Sequence, residues 1–339
     1  MSDLSLRENR LEVSEQKSIP PFSLDPTLTF YCPQENLDAF EHPAIRGFHD
    51  FLRSEYVPPA MERDAVLLLM PCTKTKPYAM SKEHREINSY LQNKGFRPTA
   101  VFDVPEGLAQ HLPKGYPPDV LNANPLARDG LVLHRMVVSE PMGLVPYEHM
   151  YFWRGEPSPA SRYDDPGLFE HRGTSVCPWR DDCTAQPLNS GKYRWGSAER
   201  AAYVEAHNYL SQLITDVLQR VKGKYRKIVG YVSPKLTHRS FLSSNSEKKE
   251  NGIPLWKMTD GGRQALIGVN ERVPGLVDIV PSANELKEIK EALAGRLAGE
   301  GKGSRGQVQA YFASGGGGAT SLILPEALRK LEEHIVAFG

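Results

Sequence analysis

Residues 64–84 read DAVLLLMPCTKTKPYAMSKEH, and this stretch decides the fold. Six consecutive apolar residues, Ala65 to Met70, stop at Pro71-Cys72. A short run without alternation, bounded by a proline, is the pattern of a strand buried on both faces of a sheet. A loop with two lysines and a second proline follows, then Ser81, a good N-cap. Ile87, Tyr90 and Leu91 share one helical face, and Gly95 can close the helix. The order is therefore strand, loop, helix N-terminus. Ligands of open α/β sheets bind where strands end. A helix N-terminus also lowers a thiol pKa and favours negative charge. Cys72, Lys76, Tyr78, Ser81 and His84 stand at such a place. Each also has a plain reading: Cys72 as a small buried hydrophobe, Ser81 and His84 as parts of a cap, Lys74 and Lys76 as solvated charges.

Working outward, strands are expected at 65–70, 98–104 (with Asp103 near its end), 131–138 and 228–232. Ser197 is expected to cap a long helix to Val221. Strands alternating with helices imply a mainly parallel sheet with helices on its faces, a three-layer α/β/α core. The core is expected over 61–240 with an insertion at 167–193. Residues 1–60 read as a polar tail and strap with a short strand at Thr27–Cys32. Residues 241–339 read as a C-terminal α+β extension packed on the core, with a helix at Asn284–Leu297, a strand at Val308–Phe312 and a helix from Pro325. Gly315–Gly318 is either a phosphate-approaching loop or a flexible turn.

Lys+Arg and Asp+Glu both number 41 in 339 residues, so no global basic field draws this chain to nucleic acid. Local basic groups remain at 73–97 and at Lys222, Lys224, Arg226 and Lys227. Four cysteines are too few for a disulfide scaffold. There is no signal-like N-terminus and no run of 18 apolar residues. The expectation is a soluble cytoplasmic protein without a membrane partner. Cys177 and Cys183 lie farther apart than cysteines in most zinc motifs. With Cys32 and His171 they give a four-ligand set for a structural zinc if the fold unites them; otherwise they are free thiols in a loop. No other cofactor is required. The dense aromatics between Tyr151 and Trp195 suit either base stacking or packing.

Written as a pattern, the opening stretch is P-C-x3-K-P-Y-x2-S-x2-H, with Pro71, Cys72, Lys76, Pro77, Tyr78, Ser81 and His84 in place. It resembles the signature of the core domain of the archaeosine synthase family, whose substrate is 7-cyano-7-deazaguanine in tRNA. Residues 139–149, SEPMGLVPYEH, resemble a second element of that family, with Glu140 as an extra residue and Tyr147 where the family has Arg. Tyr163-Asp164-Asp165 resembles its YD segment, and Trp195 with Glu199 its W…E helix start. The resemblance covers roughly residues 64–235. It implies chemistry on a nitrile carbon, an electrophile. Cys72 is the implied nucleophile, forming a thioimidate, with His84 or Lys76 giving a proton. The alternative is that Cys72 only lines the pocket while Asp103 or Glu148 activates water. Pro71, Tyr78, Ser81, Gly143 and Trp195 are the implied substrate contacts. No PUA-like RNA-binding pattern follows residue 235. The chain therefore looks more like the stand-alone proteins that convert this base in DNA to its 7-amido form. DNA and the partner proteins of a DNA-modification system are the expected partners. An amidine-forming lysine transferase on tRNA is the second reading, and a non-catalytic binder of deazaguanine-modified nucleic acid the third.

Overall fold

The apolar run is strand β1 (Ala65–Pro71), buried along its whole length in the middle of a seven-stranded sheet. In this computed structural model, residues 3–59, 64–165, 167–234, 236–316 and 320–337 are described. β1 needs apolar side chains on both faces because it is flanked by parallel strands and covered above and below. The other strands are β2 (Arg97–Pro98), β3 (Leu126–Arg128), β4 (Leu131–Ser139), β5 (Gly143–Pro146), β6 (Lys227–Tyr231) and β7 (Asp278–Val280). β4 and β6 pair in parallel with β1 on its two sides, and β7 pairs in parallel with β6. β2, β3 and β5 are short antiparallel additions beyond β4.

The expected strand at 98–104 shrinks to Arg97–Pro98. Pro98 has no N–H to give, and the chain then leaves the sheet as an irregular loop. The strand expected at Thr27–Cys32 reduces to one bridge between Thr29 and Asp164.

Helices α1 (Asp3–Glu15), α2 (Pro33–Asp38) and α3 (Pro43–Asp50) precede the sheet. α4 (Lys82–Asn93) follows β1, and Ser81 Oγ accepts from His84 N at 3.2 Å as its cap. α5 (Ser197–Val221) leads into β6. Gly196, not Ser197, takes the cap position of α5. A Cβ there would lie 2.2 Å from the Thr184 carbonyl oxygen, and Glu199 accepts the Gly196 N–H at 2.8 Å. The chain steps from β1 to β4 in one direction and from β4 back past β1 to β6 in the other. Right-handed crossovers then place α4 and α5 on opposite faces.

Three short helices, α6 (Thr237–Leu242), α7 (Asn245–Glu250) and α8 (Val269–Arg272), lie between β6 and β7. The chain closes with α9 (Ala283–Gly299), α10 (Arg305–Ser314) and α11 (Pro325–Val336), the last packing on α4, β6 and β7. The strand expected at Val308–Phe312 is thus part of helix α10. Ser304 and Gln307 cap each other's backbone N–H, and Phe312 packs on Ile289, Leu293 and Leu297 of α9. Among the described residues no helix is long and apolar enough to cross a membrane.

Candidate active site

Strand order reverses at β1, whose neighbours β4 and β6 are reached by crossovers of opposite direction. The carboxyl ends of strands at such a switch open a crevice. Cys72 follows β1 directly, and His238 lies in the first turn of α6, just beyond β6. Cys72 Sγ is 3.1 Å from His238 Nε2. Cys72 is half-buried as a residue and His238 is buried. Glu140, just past β4, and Asp165 bring two buried carboxyl groups to the same place. Asp165 is held by Asn36 Nδ2 at 3.2 Å and by Gly167 N at 2.7 Å. The buried Lys76 ammonium donates to the Thr73 carbonyl at 2.5 Å and sits 4.3 Å from the Tyr163 ring centroid. Tyr78 Oη contacts Tyr163 Oη at 2.9 Å and Ser139 Oγ at 3.1 Å, a hydroxyl network under the lysine.

Burial pushes the Cys72 thiol above its ordinary pKa, and the Lys76 charge pulls it back. Burial lowers His238, and Glu140, Glu83 and Asp165 oppose that. Burial holds Glu140 well above the carboxylate range, and the negative charge of Asp165 adds to the shift. Asp165 is raised in the same way. The shift favours the protonated form of Glu140, the form that can donate a proton. The thiol and imidazole rest as a neutral pair. Proton transfer between them would create an ion pair beside a cation and two carboxyl groups. His238 Nδ1 is buried and has no hydrogen-bond partner among the described residues.

Two cavities lie beside α6, neither of them lined by Cys72, Lys76, Glu140, Asp165 or His238. One, of about 380 Å³, is lined by Phe169, Tyr203, Leu236, Thr237 and Leu266, and so reaches Thr237, the chain neighbour of His238. The other, about 760 Å³, has Arg172, Lys287, Lys290 and Thr320 on its walls and shares Leu236 with the first.

Cys72, Lys76 and Tyr78 thus meet, but the other expected residues do not join them. Ser81 caps α4. His84 is fully buried with both ring nitrogens engaged, Nδ1 at 2.6 Å from Tyr147 Oη and Nε2 at 2.9 Å from the Pro71 carbonyl. Burial lowers its pKa to about 4, so it is neutral and fixes the turn after β1, where Pro71 ends the strand. Gly143 has φ +75°, and a Cβ there would come 2.6 Å from Leu213 Cδ2; it serves the packing of β5 on α5. Glu148 follows β5, which runs back antiparallel to β4. It accepts from Tyr56 Oη at 2.9 Å and pairs with His134 Nε2 at 3.0 Å. His134 stands opposite Leu67, some ~16 Å up the strand from Cys72. Asp103 lies on an exposed loop. Trp195 is buried and donates to the Ser175 carbonyl at 3.0 Å, packing the insertion onto α5. His238, Glu140 and Asp165 were not anticipated. Glu140 carried a signal as the extra residue directly after a strand; His238 carried none without knowing that β6 lies beside β1.

Cys32, Cys177 and Glu35 have ligand atoms within 4.8 Å of one another, a group able to hold a metal ion. His171 is not among them; it is exposed and packs on Phe169. The Cys183 thiol faces Glu199. Gly315 and Gly316 end α10 with positive φ, and Gly317–Gly318 lie outside the described residues.

One family model, described as a domain of unknown function (DUF5591), matches residues 45–117. That span contains β1, Cys72, Lys76 and α4 but not Glu140, Asp165 or His238. No curated protein and no solved structure matches the chain.

Proposed function

We propose that this protein is a base-modifying enzyme of the archaeosine synthase core type that hydrates the nitrile of 7-cyano-7-deazaguanine in DNA to the carboxamide. The observation that carries the reading is the Cys72–His238 pair at the switch point, 3.1 Å apart, with Cys72 inside the seven-position pattern. His238 takes the thiol proton and the thiolate adds to the nitrile carbon. The nitrile nitrogen gains a proton from the imidazolium, directly or through Glu140, which gives its own proton and is reprotonated by the imidazolium, to leave a thioimidate and neutral His238. Neutral His238 then activates water, which adds to the same carbon. Collapse expels the Cys72 thiolate and leaves the carboxamide; the net change is addition of one water. Lys76 stabilises each thiolate state. The cavity beside Thr237 is of the size that takes a small ligand, here a base turned out of the duplex. A zinc ion at Cys32, Glu35 and Cys177 belongs to this reading as a structural part without a role in the reaction.

The test is incubation of the full chain with DNA carrying 7-cyano-7-deazaguanine, and separately with tRNA and free lysine, followed by mass spectrometry of the nucleosides. Gain of one water on the DNA base is expected. A lysine adduct on tRNA would replace the reading by amidine formation, and no change in either would leave a non-catalytic binder.

A further inference from the structure

We infer that Cys32, Glu35 and Cys177 form a zinc clip that holds Asp165 in register with the Cys72–His238 pair. The catalytic half of this statement rests on the proposed function; the metal half stands alone.

The ligands come from two distant parts of the chain. Cys32 and Glu35 flank the start of α2 at i, i+3, so both face the same way. Cys177 opens a tight turn, with Arg180 N on the Cys177 carbonyl at 3.1 Å and Cys183 N on the Arg180 carbonyl at 3.2 Å. Cys183 stands outside the group, its thiol toward Glu199. Cys32 and Cys177 are buried and carry no disulfide. The Glu35 carboxylate is already oriented, by Tyr31 N at 2.7 Å and Trp179 Nε1 at 3.4 Å, the outer-sphere support that metal ligands receive. Thiolate sulfurs with one carboxylate oxygen suit tetrahedral Zn²⁺ better than a hard, all-oxygen cation.

The clip connects to the active site through short links. Asn36 sits one turn beyond Cys32, its N–H on the Cys32 carbonyl at 3.0 Å, and its side chain holds Asp165. Phe30 N donates to the Asp164 carbonyl at 3.0 Å, and Asp164 N to the Leu28 carbonyl at 3.0 Å. The segment that offers the metal ligands is therefore the one that grips Asp164–Asp165.

The measurement is metal content of the purified full chain, with about one zinc per chain expected. Cys32→Ser and Cys177→Ser should lose it, and Cys183→Ser, outside the ligand group, should keep it. If these variants do not fold, zinc is stripped from the wild-type chain by a chelator and restored as Zn²⁺ alone, with circular dichroism as the check on the fold. Coupling is read without substrate, as the rate and pH profile of Cys72 alkylation mapped by peptide mass. Chelation should change it several-fold and Zn²⁺ should restore it. Asn36→Ala should reproduce the change with zinc retained. A metal-free chain, or a Cys32–Cys177 disulfide in the purified protein, overturns the clip. Cys72 alkylation indifferent to zinc and to Asn36→Ala overturns the coupling. Neither readout depends on deazaguanine, so failure of the proposed substrate would leave both results interpretable.

Discussion

Glu140 and Glu148 stand eight residues apart in the sequence and do different work. Glu148 looked the better candidate because the family-like turn carries it. The turn after β4 is a hairpin, however, and β5 carries Glu148 back toward the start of β4. There its carboxylate is committed to His134 and Tyr56. Glu140 stays at the strand end, buried beside the thiol, with its carboxyl pushed toward the protonated form by burial. The expected outcome of Glu140→Gln is loss of about two to four orders of magnitude in turnover, the usual contribution of a general acid, with little change in melting. Glu148→Gln should keep turnover near wild type and cost about 1–3 kcal/mol of stability, because it weakens the partly buried hydrogen bonds to His134 and Tyr56. Nucleoside turnover and thermal melts of the two variants check this. The residue scale is also where sequence reasoning was least complete. The pattern identifies Cys72 and Lys76, but the partner of Cys72 comes from position 238, and no local spacing relates the two.

Elements were legible where one physical signal dominated. The run Ala65–Met70, the Ser81 cap and the apolar face of α5 fixed β1, α4 and α5. Val308–Phe312 was misread as a strand because a short apolar stretch has no period of its own; the Ser304–Gln307 capping pair was the signal that outranked it. Packing of the C-terminal elements adds an electrostatic clamp. His334 of α11 lies 2.6 Å from Asp278 of β7 and 2.7 Å from Glu285 of α9. Its hydrogen bonds to those carboxylates raise its pKa from 6.5 to about 9, burial opposing. A raised folded-state pKa means the contribution is whole below pH 6.5 and is lost as pH climbs through about 9. His334→Gln should therefore lower stability on the order of 2 kcal/mol in mildly acidic buffer, and the gap from wild type should close in alkaline buffer above the folded pKa. Melting temperatures across that range measure it; a gap independent of pH would mean that His334 acts through packing alone.

At the scale of the whole molecule the α/β class and the parallel centre were readable from the strand–helix alternation. The wrapping was not. α1 and the turn after it send Ser14 and Lys17 onto Asp164, α2 sends Asn36 onto Asp165, and the insertion supplies Cys177 opposite Cys32. These contacts join residues more than a hundred positions apart, and a strap's polar composition does not reveal what it covers. The family-model match at 45–117 reaches only the β1–α4 part of the site, so the centre depends on the chain on both sides of that span. The assembled centre is proposed to work by covalent addition at Cys72. The direct measurement is denaturing mass spectrometry of the full chain mixed with DNA carrying 7-cyano-7-deazaguanine, alongside turnover of Cys72→Ala. Covalent addition gives a transient adduct mapped to the Cys72 peptide, absent in Cys72→Ala, whose turnover falls to the background left by binding and positioning. Near wild-type turnover by Cys72→Ala, with no adduct on the wild-type chain, would contradict it.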